Sequence, residues 1–100
     1  MRALKDVRIR FMGREVSCTG LFDTGSSYTV VQRAFFERNF GANWLELPRP
    51  VRLLVDGDFL EADKYAQVVI IIDDVELLPP EVVLIVDKFV EEIEVGGRNV

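Results

Sequence analysis

Leu21-Phe22-Asp23-Thr24-Gly25-Ser26-Ser27 is the stretch of this chain whose residue types and spacing could do chemistry. Two apolar residues run into an acid, a hydroxyl residue and a glycine, and two more hydroxyls follow. Such a run can end a buried strand with a carboxylate facing a cleft, where it can act as a general acid or base. The chain offers one acid in that setting, so a catalytic pair of carboxylates would require a second copy of the chain. The plainer reading makes Asp23 a turn residue whose side chain bonds nearby backbone N–H groups. Asp-Thr-Gly alone is short enough to arise by chance, so the weight rests on its context. Gly25 lets the backbone come close to its neighbours, and Ser26 can hydrogen-bond the carboxylate and help hold it. The other acids fall in charged or turn stretches such as Asp73-Asp74 and Glu91-Glu92 and read as solvated.

Presenting Asp23 falls to a hairpin. Val7-Arg8-Ile9-Arg10-Phe11 alternates apolar and charged residues, as a strand with one buried face does. Gly13-Arg14 is a turn signal, and Val16 to Phe22 reads as the second strand, ending at Asp23. Thr29-Val30-Val31 is short and β-prone. Gln32 to Phe40 predicts a short helix with Phe35, Phe36 and Phe40 on its apolar side and Gly41 as its stop. Pro48 and Pro50 mark a loop after Trp44. Asp56-Gly57, between Val51–Val55 and Phe59–Tyr65, is a strong short-range hairpin signal. Gln67 to Ile72 reads as a further strand and Asp73-Asp74 as a turn into Val75–Leu78. Pro79-Pro80 reads as a break before a strand over Glu81–Val86, and Ile93 to Val95 as the last strand, ending at Gly96-Gly97. Many short strands with one short helix indicate a mainly β fold, a small barrel.

One hundred residues make one domain, 1–100, with a modest core that often leans on a partner. Hydrophobic residues at 49% argue against global disorder. A net charge of −5 argues against nucleic acid and against an anionic membrane surface as partners. Cys18 is the single cysteine, which excludes an internal disulfide and a cysteine-based metal site, and its apolar surroundings read as a buried, inert thiol. The chain has no histidine, which removes Ser–His and Cys–His catalysis and most zinc sites. The opening Met1 to Asp6 does not read as a signal peptide. The longest apolar run, Val68 to Ile72, is too short to span a membrane. A cytoplasmic location is the default expectation.

Leu21 to Ser27 resembles the active-site motif of the retropepsin-like aspartic peptidases, the short retroviral-protease type. The likeness extends along the chain in order. The hairpin before Asp23 sits where that family has its first two strands. The Asp56-Gly57 hairpin with Phe59-Leu60 and Tyr65 resembles its flap, and Val95-Gly96-Gly97-Arg98-Asn99 resembles its late apolar-Gly-Arg-Asn/Asp segment. The resemblance implies a closed β-barrel of the acid-protease type and an aspartic endopeptidase acting on peptide or unfolded-protein substrates. Two protomers would each contribute Asp23, sharing a proton between the carboxylates, as aspartic proteases do in the standard illustration of like-charge coupling. No metal and no cofactor is implied. Thr24 would cross-brace the two active-site loops, the Gly25 carbonyl would accept a bond from substrate, Ser26 would support the loop, and Asp56 and Gly57 would close over the peptide.

The chain departs from that family in three places. Val55-Asp56-Gly57-Asp58 stands where retroviral enzymes carry a glycine-rich tip; its acids either favour basic substrate residues or are simply solvated. Gly96 stands where an aliphatic residue is usual. The family continues into a short helix and often a terminal strand, whereas this sequence ends at Val100, so the chain is either a shortened form of a longer protein or a dimer built on other strands, with Met1 to Asp6 one possible edge. A catalytically silent module that binds peptides or protein partners is the rival reading. An unrelated β fold with Asp23 as a turn residue comes third. Phosphoryl transfer comes last, because it calls for further acids for Mg²⁺ and a phosphate-binding lysine on an α/β sheet.

Overall fold

The structure is a computed structural model that describes residues 2–23, 25–55, 58–87 and 91–97. Among these residues the chain forms seven strands and one helix: β1 (Arg2–Phe11), β2 (Arg14–Asp23), β3 (Val30–Gln32), α1 (Arg33–Phe40), β4 (Leu45–Val55), β5 (Asp58–Ile72), β6 (Val75–Val86) and β7 (Ile93–Gly96). The strand order β1-β2-β7-β3-β6-β5-β4, with β1 also paired to β5, closes six strands into a barrel and leaves β4 outside, attached to β5. The mainly β barrel with one short helix is thus the expected architecture. No helix among the described residues is long and apolar enough to cross a membrane.

The β1–β2 hairpin turns through Met12-Gly13, one residue earlier than the Gly13-Arg14 signal suggests. Both turn residues have positive φ, 51° and 76°. Asp73-Asp74 joins β5 to β6 in the same way, with φ of 50° and 63°. Two-residue turns of this hand match the right-handed twist of the strands they connect. Alternation along β1 works as the sequence implies: Val7 and Ile9 are buried. Arg8 and Arg10 on the opposite face bond Asp74, Glu76 and Glu15. These exposed pairs each contribute at most about 1 kcal/mol, but they link the β1–β2 hairpin to the β5–β6 turn.

The prolines behave differently from the sequence expectation. Pro48 and Pro50 lie within β4 rather than in a loop, and Pro79-Pro80 lie within β6 rather than between two strands. In both places the register shifts: Glu46 pairs with Lys64 but Val51 with Ala62, and Glu81 pairs with Val68 but Leu77 with Ile70. A bulge removes the prolines, which cannot donate, from the ladder and lets the strand continue. Phe59–Tyr65 and Gln67–Ile72, read as two strands, are likewise one continuous β5.

Helix α1 starts at Arg33 after Gln32, and Gly41, at φ 70°, stops it by donating its N–H to the Glu37 carbonyl at 2.9 Å. Its buried face, Phe35, Phe36 and Phe40, packs on the barrel, where Phe11, Phe36, Phe40 and Trp44 form a chain of tilted and edge-on ring contacts. Phe35, Phe36 and Phe40 belong to the main core with Val7, Ile9, Phe22, Val68, Ile70 and Ile93, and Phe11 and Trp44 pack against it. A second, smaller cluster of Val30, Leu53, Ala62, Leu84 and Val86 fixes the β4–β5 hairpin against β3 and β6.

Cys18 is buried, and that burial, with the Glu92 carboxylate as a second cause, pushes its thiol from 9.0 up to about 12. The thiolate fraction near neutral pH is then roughly a thousandfold smaller than in the unfolded chain. The stability gained by keeping the thiol protonated is full below about pH 9 and is lost as the pH rises toward 12. Iodoacetamide should therefore label native Cys18 far more slowly than the urea-unfolded chain; equal rates would show that the thiol is not held in the core.

Candidate active site

Asp23 is the last residue of β2 and is half-buried. It is paired on one side with Arg2 of β1 and on the other with Gly96 of β7. The chain then turns sharply. The Ser26 N–H donates to the Asp23 carbonyl at 3.1 Å, and the Gly25 N–H donates to Asp23 Oδ1 at 2.9 Å. The side chain thus makes the local turn bond expected of an Asp at a strand end, and that bond also orients the carboxylate. A Cβ on Gly25 would stand 3.3 Å from Asp23 Oδ1, so glycine leaves the carboxylate its space. The Ser26 hydroxyl donates to the Tyr28 carbonyl at 2.9 Å, so Ser26 stiffens the loop through the backbone. Thr24 lies outside the described residues.

A cleft of about 460 Å³ opens beside this loop. Gly25, Ser27 and Tyr28 line one wall, and Arg52, Leu54 and Phe59 of the β4–β5 hairpin line the other. Leu54 and Phe59 face each other across the hairpin and are 55% and 65% exposed, an apolar surface that the fold itself does not cover. The Arg52 guanidinium lies 4.5 Å from the Phe59 ring centre. The hairpin strands pair as far as Val55 and Asp58, while Asp56 and Gly57 lie outside the described residues. A hollow of about 540 Å³ beside α1 is larger, but its charged walls pair with one another, Arg33 with Asp87 and with Glu37.

Thr29 and Glu81, which the sequence does not single out as site residues, converge on the loop with Gly96. Thr29, almost fully buried, donates its hydroxyl to Glu81 Oε1 at 3.1 Å and accepts from the Gly96 N–H at 3.3 Å. Gly96 lies directly under the loop: a Cβ there would stand 2.4 Å from the Tyr28 carbonyl oxygen and 2.7 Å from that of Ser26. This contact leaves no room for any side chain at the position. The acids outside the motif are also less uniform than their sequence context suggests. Asp73 and Asp74 are exposed, but Glu92 is half-buried and accepts from the Thr19 N–H at 2.9 Å. Glu94 is fully buried in β7, between Leu21 and Val30. The sequence places Glu94 in the last strand, but its burial there follows only from the pairing of β7 on both sides. Among the described residues, no cluster of three or more acids or cysteines is placed to hold a metal ion.

No family model matches the chain, and no curated protein matches it. Among solved structures it is similar to the protease of EIAV, a retrovirus, complexed with the inhibitor HBY-793. The TM-score is 0.65 at 19% sequence identity, over 96% of this chain and 82% of that one. The architecture is the retropepsin-like fold.

Proposed function

We propose that this protein is an aspartic endopeptidase whose site is completed by a second copy of the chain. The observation that carries the reading is the placement of Asp23. Asp23 ends β2 of a retropepsin-like barrel, its carboxylate is oriented by the Gly25 N–H, and Gly25 itself lines the cleft under the β4–β5 hairpin. Each protomer supplies one Asp23. One carboxylate takes a proton from a water held between the two, and the other, protonated, donates to the scissile carbonyl oxygen. The water oxygen bonds to the carbonyl carbon, and the resulting diol collapses with release of the amine. The peptide lies as an extended strand against the hairpin, with apolar side chains over Leu54 and Phe59. The reaction read this way uses no metal or organic cofactor.

An edge left open among the described residues supports the second copy. β1 pairs with β2 along its whole length but with β5 only across Arg8–Arg10. Among the described residues the stretch from Arg2 to Val7, which ends beside Asp23 and carries the 60% exposed Leu4, has no second strand on its outer side, where a partner strand would fit.

Asp23→Asn, close to isosteric, should leave the fold intact and abolish cleavage of an unstructured protein that wild type cuts and pepstatin protects. Undiminished cleavage by a clean Asp23→Asn preparation would refute the mechanism. Phe59→Ala removes apolar surface from the peptide's side of the hairpin and should raise KM about tenfold, in line with the loss of part of a buried aromatic contact. An unchanged KM across an apolar peptide series would place the substrate elsewhere.

A further inference from the structure

The loop from Asp23 to Thr29 is held at both ends and in the middle by one residue. Gly96 is the β7 partner of Asp23 where the loop begins, and its N–H donates to the Thr29 hydroxyl where the loop ends. Between these points the carbonyls of Ser26 and Tyr28 rest on the Gly96 Cα, closer than any side chain would permit. Thr29 is then fixed from the other side by β6, through its hydroxyl to Glu81 Oε1 and its carbonyl to the Leu84 N–H at 2.9 Å. Glu81 is the first residue to resume pairing after the Pro79-Pro80 bulge.

We propose that Thr29, Gly96 and Glu81 form a seat that positions the Asp23 loop, with Thr29 as the positioning residue that joins β7 and β6 through one hydroxyl. The catalytic consequence rests on the peptidase reading; the seat itself rests on the hydrogen bonds and the close approach at Gly96. A buried hydroxyl bonded to a carboxylate is stronger than a neutral pair, and a reacting group misplaced by about 1 Å can lose on the order of 10²-fold in rate. Thr29 acts on the chemistry only through the loop.

Thr29→Val keeps the side-chain shape and removes both hydroxyl bonds, whereas Thr29→Ser keeps them. The test is amide hydrogen exchange of Gly25, Ser26 and Gly96 in the wild type and both variants, alongside kcat and KM on one peptide. Thr29→Val should stay folded, exchange these amides at least about tenfold faster, and lose about ten- to a hundredfold in kcat with KM little changed; Thr29→Ser should restore both. Unchanged exchange in Thr29→Val, or a loss confined to KM, would overturn the seat. Should Thr29→Val fail to fold, Glu81→Gln, which keeps an acceptor oxygen, and Glu81→Leu, which does not, give the same contrast, and equal loop exchange in those two overturns it. If wild type cuts no peptide, the peptidase reading falls, and the exchange contrast still decides for or against the seat.

Discussion

Insertion of β7 between β2 and β3 is the contact on which the rest of the structure depends. This four-residue strand runs parallel to β2 and antiparallel to β3, and it supplies the pairing through which these two strands share one barrel wall. Ile93, Glu94 and Val95 are each fully buried, so the strand serves as both wall and core. Its last residue, Gly96, reaches the level of Asp23. Barrel closure and the shape of the Asp23 loop are therefore one event: the strand that completes the ring also provides the surface on which the loop rests.

The opposite wall of the cleft is built with less overlap. The β4–β5 hairpin stands outside the closed ring and is anchored through the smaller apolar cluster around Leu53 and Ala62. Leu53 points inward and is 4% exposed, whereas Leu54, its neighbour, is 55% exposed. The alternation of the strand thus divides one apolar run into a buried anchor and an exposed face. A hairpin held at its base by few contacts can move relative to the barrel more easily than the barrel can deform, which suits the peptide-covering role that the proposed function gives it.

Much of this was legible in local sequence. The alternation in Val7–Phe11, the Asp73-Asp74 turn and the Gly41 stop each reflect neighbours within a few residues, and the structure has all three. The prolines of β4 and β6 were misleading because their cost to a strand is local, while the bulges that absorb it depend on the partner strand. The seat under the loop left no local signal. Thr29 meets Glu81 52 residues away and Gly96 67 residues away, and nothing in Thr29-Val30-Val31 distinguishes a seated hydroxyl from a turn residue. The burial of Glu94 left no local signal for a related reason: Ile93 to Val95 reads as a strand, but only the pairing of β7 on both sides shows that its acid is enclosed.

The central claim is that one site needs two copies of Asp23. Its most direct test is a mixing experiment in which a fixed amount of wild type receives increasing amounts of Asp23→Asn protein, with peptide cleavage followed after the chains have exchanged. Mixed dimers would hold a single carboxylate, so the account predicts that excess Asp23→Asn extinguishes the activity, following the falling fraction of all-wild-type pairs. Activity that stays proportional to the wild type present, however much Asp23→Asn is added, would contradict it.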